Sequence, residues 1–203
     1  MLIAHLVPGY FAAVKSQPGW KPEWHQSQQA VLWIAALGST VLPDVDVVYN
    51  VLFRGFFNHS TLWTHSLIPH LSVGGLWLVL RSLKRWPYLQ TLSGLVAVGG
   101  LSHLVLDVIA HGTPLLYPFS LMMFGLPPAR VVEGGVWAYL TDPIFLVEPL
   151  GLTLCAGHWI LKRNIAPRIR TIILTILWAG LIIFTVAFLW WLGDMQELAA
   201  SAL

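Results

Sequence analysis

Residues 88–111 read YLQTLSGLVAVGGLSHLVLDVIAH, an apolar run whose last third carries His103, Asp107 and His111. No Asp, Glu, Lys or Arg interrupts positions 87–106. A helix rises 1.5 Å per residue, so about 20 residues of this kind cross a hydrocarbon core of about 30 Å. The run reads as a membrane span, and Gly94, Gly99 and Gly100 allow close helix contact along it. A spacing of four places His103, Asp107 and His111 on one face, drifting by about 40° per step. Imidazole nitrogen with carboxylate oxygen suits zinc, and also manganese or iron. An ionisable group at membrane depth costs about 2.5–3.5 kcal/mol on insertion scales and is a functional signal by default. Ligation of a metal would offset that cost.

The whole chain agrees with this setting. It has 203 residues, 57% of them hydrophobic, and too little polar surface to coat a soluble globule of its size. Eleven Lys and Arg stand against nine Asp and Glu, a balance too even for a nucleic-acid partner. The single cysteine, Cys155, lies in an apolar run and excludes both an intrachain disulfide framework and a CxxC zinc knuckle. No basic segment precedes the first apolar stretch, which Pro8-Gly9 breaks, so no cleavable signal peptide is expected.

Working outward, residues 2–14 are apolar but too short to span and predict a half-inserted or bent helix carrying His5. Residues 15–27 form a polar loop marked by Pro18-Gly19 and Lys21-Pro22, and 28–42 a second apolar helix that stops at Pro43. Full spans are expected at 62–80, 88–110, 143–161 and 171–192. The Pro- and Gly-rich segment 113–142 reads as an ordered loop or re-entrant lid. The expected architecture is an all-α integral membrane protein, a helical bundle of about four transmembrane helices plus one or two short N-terminal helices. It forms one membrane-embedded domain over 1–203, with a metal-site region at 1–145 and two C-terminal transmembrane helices at 143–192.

Loop charge orients the bundle, because short cytoplasmic loops retain Lys and Arg. Lys15 and Lys21, the run Arg81, Lys84, Arg85, and the run Lys162, Arg163, Arg168, Arg170 fall on one side, and only Arg54 and Arg130 on the other. The basic runs are topology signals and anionic-lipid contacts. That arrangement brings three polar clusters to the non-cytoplasmic boundary: Asp44 with Asp46, the 59–66 segment HSTLWTHS with His59 and His65, and the end of the 88–111 helix. His5 joins them if its helix enters from that side.

Blander readings compete at each position. His25, His70 and His158 read as hydrogen-bonded packing residues. His103 with Asp107 could be an interhelical pair worth about 1–2 kcal/mol. Asp44 and Asp46 could cap the following helix, and His111 could serve a helix C-terminal dipole. The eleven tryptophans read as interfacial belts and packing.

The strings LPDVD (42–46), THS (64–66), SHLVLD (102–107), PLLYPFS (114–120) and TDPIF (141–145) resemble the LexA-binding, inner-membrane-associated hydrolases, also called membrane-bound metal-dependent hydrolases. The resemblance covers positions 5 to about 142. That family is similar in motif order to the zinc-dependent phospholipase C and single-strand nuclease group, which hydrolyses phosphoesters with a zinc cluster. The resemblance implies His5, Asp44, His65, His103 and Asp107 as metal ligands, with Asp46, His59 and His111 ligating or orienting a ligand. It implies two or three zinc ions, manganese or iron being alternatives. Two departures stand out: His59 is followed by Ser60-Thr61, one residue further from His65 than in the family string HRGxTHS, and no second HxxxD or HxxxE pair follows. Glu133, Asp142 and Glu148 are the later carboxylates that could substitute.

The expected function is that of an inner-membrane, multi-pass, metal-dependent hydrolase, phosphoesterase or phospholipase C-like. It would act on a lipid or lipid-linked substrate at the non-cytoplasmic face, with Asp46 as general base and Arg54 or Arg130 steadying the phosphate. The alternative is a non-enzymatic metal-binding membrane protein, a carrier or interaction partner. An intramembrane metalloprotease ranks last, for want of HExxH. The topology has its own check: a reporter fused after Leu203 should be active outside the cytoplasm, and cytoplasmic activity would invert the assignment.

Overall fold

The computed structural model describes residues 3–55, 63–110, 112–125 and 140–201. Its described residues are helical apart from short turns and one isolated antiparallel bridge, Thr113 with Phe124. We label the helices α1 (Ile3–Ser16), α2 (Gln26–Gly38), α3 (Val45–Tyr49), α4 (Leu67–Leu83), α5 (Pro87–Ala110), α6 (Val147–Lys162) and α7 (Pro167–Ser201). Three stretches are long and apolar enough to cross a bilayer: Pro87–Ala110, Pro143–Lys162 and Pro167–Asp194. Gln26–Gly38 and Leu42–Arg54 qualify together as a fourth, bent by 66° at the break between them. This is an all-α membrane protein.

The helix expected at 62–80 begins at Leu67 instead, after a 3₁₀ turn at Trp63–His65, and runs 17 residues. At 1.5 Å per residue that is about 25 Å, a few ångströms short of a hydrocarbon core. Thr64 and His65 are held in the turn by contacts outside the helix, so the polar cluster shortens the span it precedes. The helix expected at 28–42 likewise ends early, at Gly38, and a second 3₁₀ turn, Leu42–Asp44, follows with Pro43 in it.

Small residues decide which helices touch. A Cβ at Gly9 would strike the carbonyl oxygen of Ala36 and come within 2.8 Å of Thr40 Cγ2, so α1 lies backbone-close on the end of α2. Gly99 and Gly100 of α5 leave room for Ser39 and for the His70 ring, and Gly151 of α6 sits beneath Val7 of α1. Interhelical contact of this kind relies on close van der Waals packing, since lipid tails supply no hydrophobic drive between helices.

The contacts also fix direction. Gly94 meets Trp77 and Gly100 meets His70, so α4 and α5 are antiparallel. Tyr88 donates to the Gln28 carbonyl and Gly99 meets Ser39, so α2 and α5 are parallel. Ala4 meets Glu148 and Tyr10 meets His158, so α1 and α6 are parallel too. These directions put Lys15, the Arg81 to Arg85 run and Lys162 at one end of the bundle, and His5, Thr40 and His103 at the other. Between the ends, Ala13, Leu32, Ala36, Leu95 and Trp24 form a closed apolar core.

Gly9→Ala should lower stability by about 1–3 kcal/mol, as overpacking does, while Gly75→Ala, with nothing within 4 Å, should be neutral or slightly stabilising because Ala favours helix. Thermal unfolding in detergent reads both; equal melting of Gly9→Ala and the parent protein would remove the α1–α2 contact.

Candidate metal centre

Four segments distant in sequence deliver six ligand-type side chains to the end of the bundle opposite the basic runs. His5 comes from the first turn of α1, Asp44 from the 3₁₀ turn after α2, Asp46 from α3, His65 from the Trp63–His65 turn, and His103 with Asp107 from one face of α5. His5, Asp46, His65, His103 and Asp107 are fully buried, and Asp44 is 13% exposed.

Distances show how tightly they converge. His103 Nε2 lies 3.1 Å from Asp107 Oδ2, 3.6 Å from Asp44 Oδ1 and 3.4 Å from His65 Nε2. His65 Nε2 is 3.5 Å from Asp107 Oδ2 and 3.7 Å from Asp44 Oδ1. His5 Nε2 sits 3.4 Å from Asp107 Oδ1, and its ring stacks on His103 with centroids 3.9 Å apart. Three overlapping groups have donor atoms within 4.8 Å of one another: His5, Asp44 and His103; His65, His103 and Asp107; Asp44, Asp46 and His65.

The donor set fits a divalent cation. Zinc bonds of about 2.0–2.2 Å at tetrahedral angles separate neighbouring donors by about 3.3–3.6 Å, close to the spacings just given. Nδ1 of the buried His5 has no hydrogen-bond partner among the described residues, a costly state for a buried polar atom. Two imidazole Nε2 atoms face each other across 3.4 Å, where at most one can hold a proton. Burial opposes charge on His65, but the carboxylates of Asp44 and Asp46 outweigh it and hold its pKa up at about 9. The surroundings of His65 favour a positive charge, which a metal ion would supply.

Both imidazoles at the centre are oriented from behind. His103 Nδ1 is 2.7 Å from the Thr40 carbonyl oxygen. A carbonyl only accepts, so Nδ1 carries the proton and Nε2 presents its lone pair to the cluster. Thr40 lies beyond the end of α2 at Gly38, so its carbonyl is not committed to that helix's hydrogen-bond ladder. His65 Nδ1 faces Asp46 Oδ2 at 3.1 Å, the carboxylate–histidine arrangement that fixes a ligand's ring. Asp44 makes no side-chain cap to α3, so the capping reading does not describe it.

Hydroxyls and backbone lock the turns around the cluster. Thr64 Oγ1 donates to the Pro43 carbonyl, joining the two 3₁₀ turns, and His70 Nε2 donates to the Thr64 carbonyl. Thr113 Oγ1 donates to the His65 carbonyl, and the Leu67 amide to that of Leu115. Beyond α5, Gly112 adopts φ 86° and its amide donates to the Asp107 carbonyl, which ends the helix and turns the chain over the site. On the far side, Glu148 Oε2 accepts from the Ala4 amide at 2.6 Å, beside His5.

The remaining candidates fall as follows. Arg54 is exposed, its guanidinium over the Tyr49 ring at 5.4 Å, outside the buried cluster. His59, His111, Arg130 and Glu133 lie outside the described residues. Asp142 accepts from the Ile144 amide and starts the 3₁₀ turn before α6. His70 and His158 have packing partners, Thr64 and Tyr10, and the His25 amide donates to Gln28 at the start of α2. Thr40, Thr113 and the orienting part of Glu148 escaped the sequence reading, because each pairs a side chain with a backbone atom of a distant residue, a partner that sequence does not reveal. Thr64, next to His65, and Thr113, just past the end of α5, were the available signal.

The model of the YdjM inner membrane protein family matches residues 1–193, so the chain belongs to that family. No curated protein and no solved structure matches it.

Metal analysis of the purified protein, compared with a His103→Ala, Asp107→Ala double variant, should show divalent metal in the first and its loss in the second. Equal content in the two would remove the site.

Proposed function

We propose that this YdjM-family membrane protein is a metal-dependent hydrolase that cleaves a phosphoester in a lipid or lipid-linked substrate, with a zinc-type cluster opening to the non-cytoplasmic face. The observation that carries the reading is the convergence itself: three imidazoles and three carboxylates from four segments, within ligand distance, in an otherwise apolar bundle. Structure-holding pairs do not need six such groups in one place, and each charge buried there carries a desolvation cost that a cation would help to offset. The position at the bundle's end supports a substrate at headgroup depth.

A bound divalent ion supplies Lewis-acid stabilisation of charge developing on a phosphoryl oxygen and lowers the pKa of water. The chain's own residues set up that chemistry. Asp107, His103, His65, His5 and Asp44 would hold the ion, and the Thr40 carbonyl and Asp46 fix the two central rings so that both Nε2 atoms point inward. Asp44 is the most open of the six and marks the side from which substrate enters. Asp46 is the candidate general base, and its carboxylate, 3.1 Å from His65 Nδ1, also orients that ring. Arg54, on the same segment as Asp44, is placed to meet an entering phosphate from outside the cluster.

A second reading has its own observation. Five of the six groups are fully buried, and closed sites are the mark of structural or storage metals, whereas catalytic ones keep a position open. On that reading the protein binds metal without turnover. Transport is less well supported, because a carrier needs access from both ends and the apolar core around Leu32, Ala36 and Leu95 fills the path below the site.

Reconstituted, metal-loaded protein should release phosphate or a phosphorylated headgroup from at least one member of a panel of phospholipids and lipid diphosphates. Chelation should abolish that activity, and Asp46→Asn should lower it by about 10–100-fold, as loss of an orienting partner does. Silence across the panel from protein with its metal bound would favour the binding reading.

A further inference from the structure

The end of the bundle opposite the metal centre carries a second, differently built feature. A groove of about 390 Å³ runs between α4 and α5, lined by Val73, Leu76 and Leu80 on one side and Trp86, Leu89 and Val96 on the other. Ser93, its polar lining residue, donates its hydroxyl to the carbonyls of Leu89 and Gln90, so the groove presents hydrocarbon alone. Three exposed cations, Arg81, Lys84 and Arg85, occupy the turn at its mouth. No acidic residue lies between Asp46 and Asp107 in sequence, and the acid near this end, Glu23, is 3.7 Å from Lys21.

The turn is shaped in an unusual way. Lys84 and Trp86 both have φ 52°, and they are the positive-φ residues other than glycine among the described residues. For a bulky side chain just before a proline that conformation is rare. Trp86 lines the groove with more than half of its surface exposed, next to the exposed Lys84 and Arg85. Arg81 lies over the Trp77 ring at 5.2 Å, held on the helix flank. At 17 residues α4 is short for a bilayer, a length that favours a basic end near phosphate depth.

We propose that this groove is a binding site for an anionic diacyl phospholipid, with an acyl chain along α4 and α5 and its phosphate among Arg81, Lys84 and Arg85. Apolar lining selects a chain, three uncompensated cations select a negative headgroup, and the turn's backbone holds the two parts in register. The site is separate from the metal centre and does not depend on its activity.

The test uses full-length protein in detergent, with dioleoyl phosphatidylglycerol and dioleoyl phosphatidylcholine as matched probes and native mass spectrometry as the readout. Each basic residue near an anionic surface is worth about fivefold in affinity, so the protein should retain phosphatidylglycerol about a hundredfold more tightly. Replacing all three cations (R81Q, K84Q, R85Q) should abolish the preference. Val96→Trp, which fills the groove and keeps the charges, should weaken phosphatidylglycerol retention at least tenfold. Unchanged melting of both variants shows that the bundle survives. Equal retention of the two lipids, an undiminished preference in the charge variant, or displacement of the lipid by soluble glycerol phosphate at similar concentration would overturn the site.

Discussion

Three carboxylates and three imidazoles share one largely buried cluster, and the rest of the bundle is arranged around making that tolerable. Each buried charge carries a desolvation cost of several kcal/mol that a neighbour must offset. Within the cluster, imidazole and carboxylate alternate: Asp107 stands between His5, His65 and His103, and Asp46 stands behind His65. No single helix could supply this, since side chains three or four apart give at most a pair or triad on one face. The site therefore requires α1, the two 3₁₀ turns and α5 to meet, and it requires them to meet closely.

That requirement explains features which look unrelated. Gly9 permits α1 to reach the end of α2, and Gly99 and Gly100 permit α5 to reach Ser39 and His70. The break of α2 at Gly38 shortens a potential span, yet it turns the Thr40 carbonyl onto His103 and sends Asp44 and Asp46 back towards the axis. The late start of α4 leaves Thr64 and His65 in a turn whose carbonyls accept from His70 and Thr113. Span length and helix regularity are given up at one end of the bundle only. The other end keeps its charged loops, and its departure from regular geometry is confined to the turn with Lys84 and Trp86 at positive φ.

Sequence made much of this legible, for identifiable reasons. Hydropathy and length were enough for α5, α6 and α7, where apolar runs are long and uninterrupted. The four-residue step from His103 to Asp107 is a helical period, so their shared face could be read directly. The proximity of His5, Asp44 and His65 to that face could be reached only through loop charge and a family resemblance, since no local period links positions 5, 44, 65 and 103. The different surroundings of Asp44 and Asp46 were beyond reach: two residues apart at a helix end, they could both have pointed inward, and only the turn geometry sets Asp46 on the Nδ1 side of His65. Thr40 was hidden for a deeper reason, because its contribution is a main-chain carbonyl and any residue there has one.

The choice between turnover and storage comes down to Asp44. Five ligand-type groups have no contact with solvent, and they alone would make a closed site. Asp44 keeps part of its surface open and sits on the one segment, Leu42–Asp44, that runs straight into the exposed stretch ending at Arg54. A substrate phosphate arriving along that stretch would meet a cation first and the slightly exposed Asp44 carboxylate second, before the buried histidines. Such an order of contacts has a purpose in a site that exchanges ligands and none in one that seals a metal away. The exposure of one carboxylate, set against the burial of the other two, is what gives the hydrolytic reading its edge.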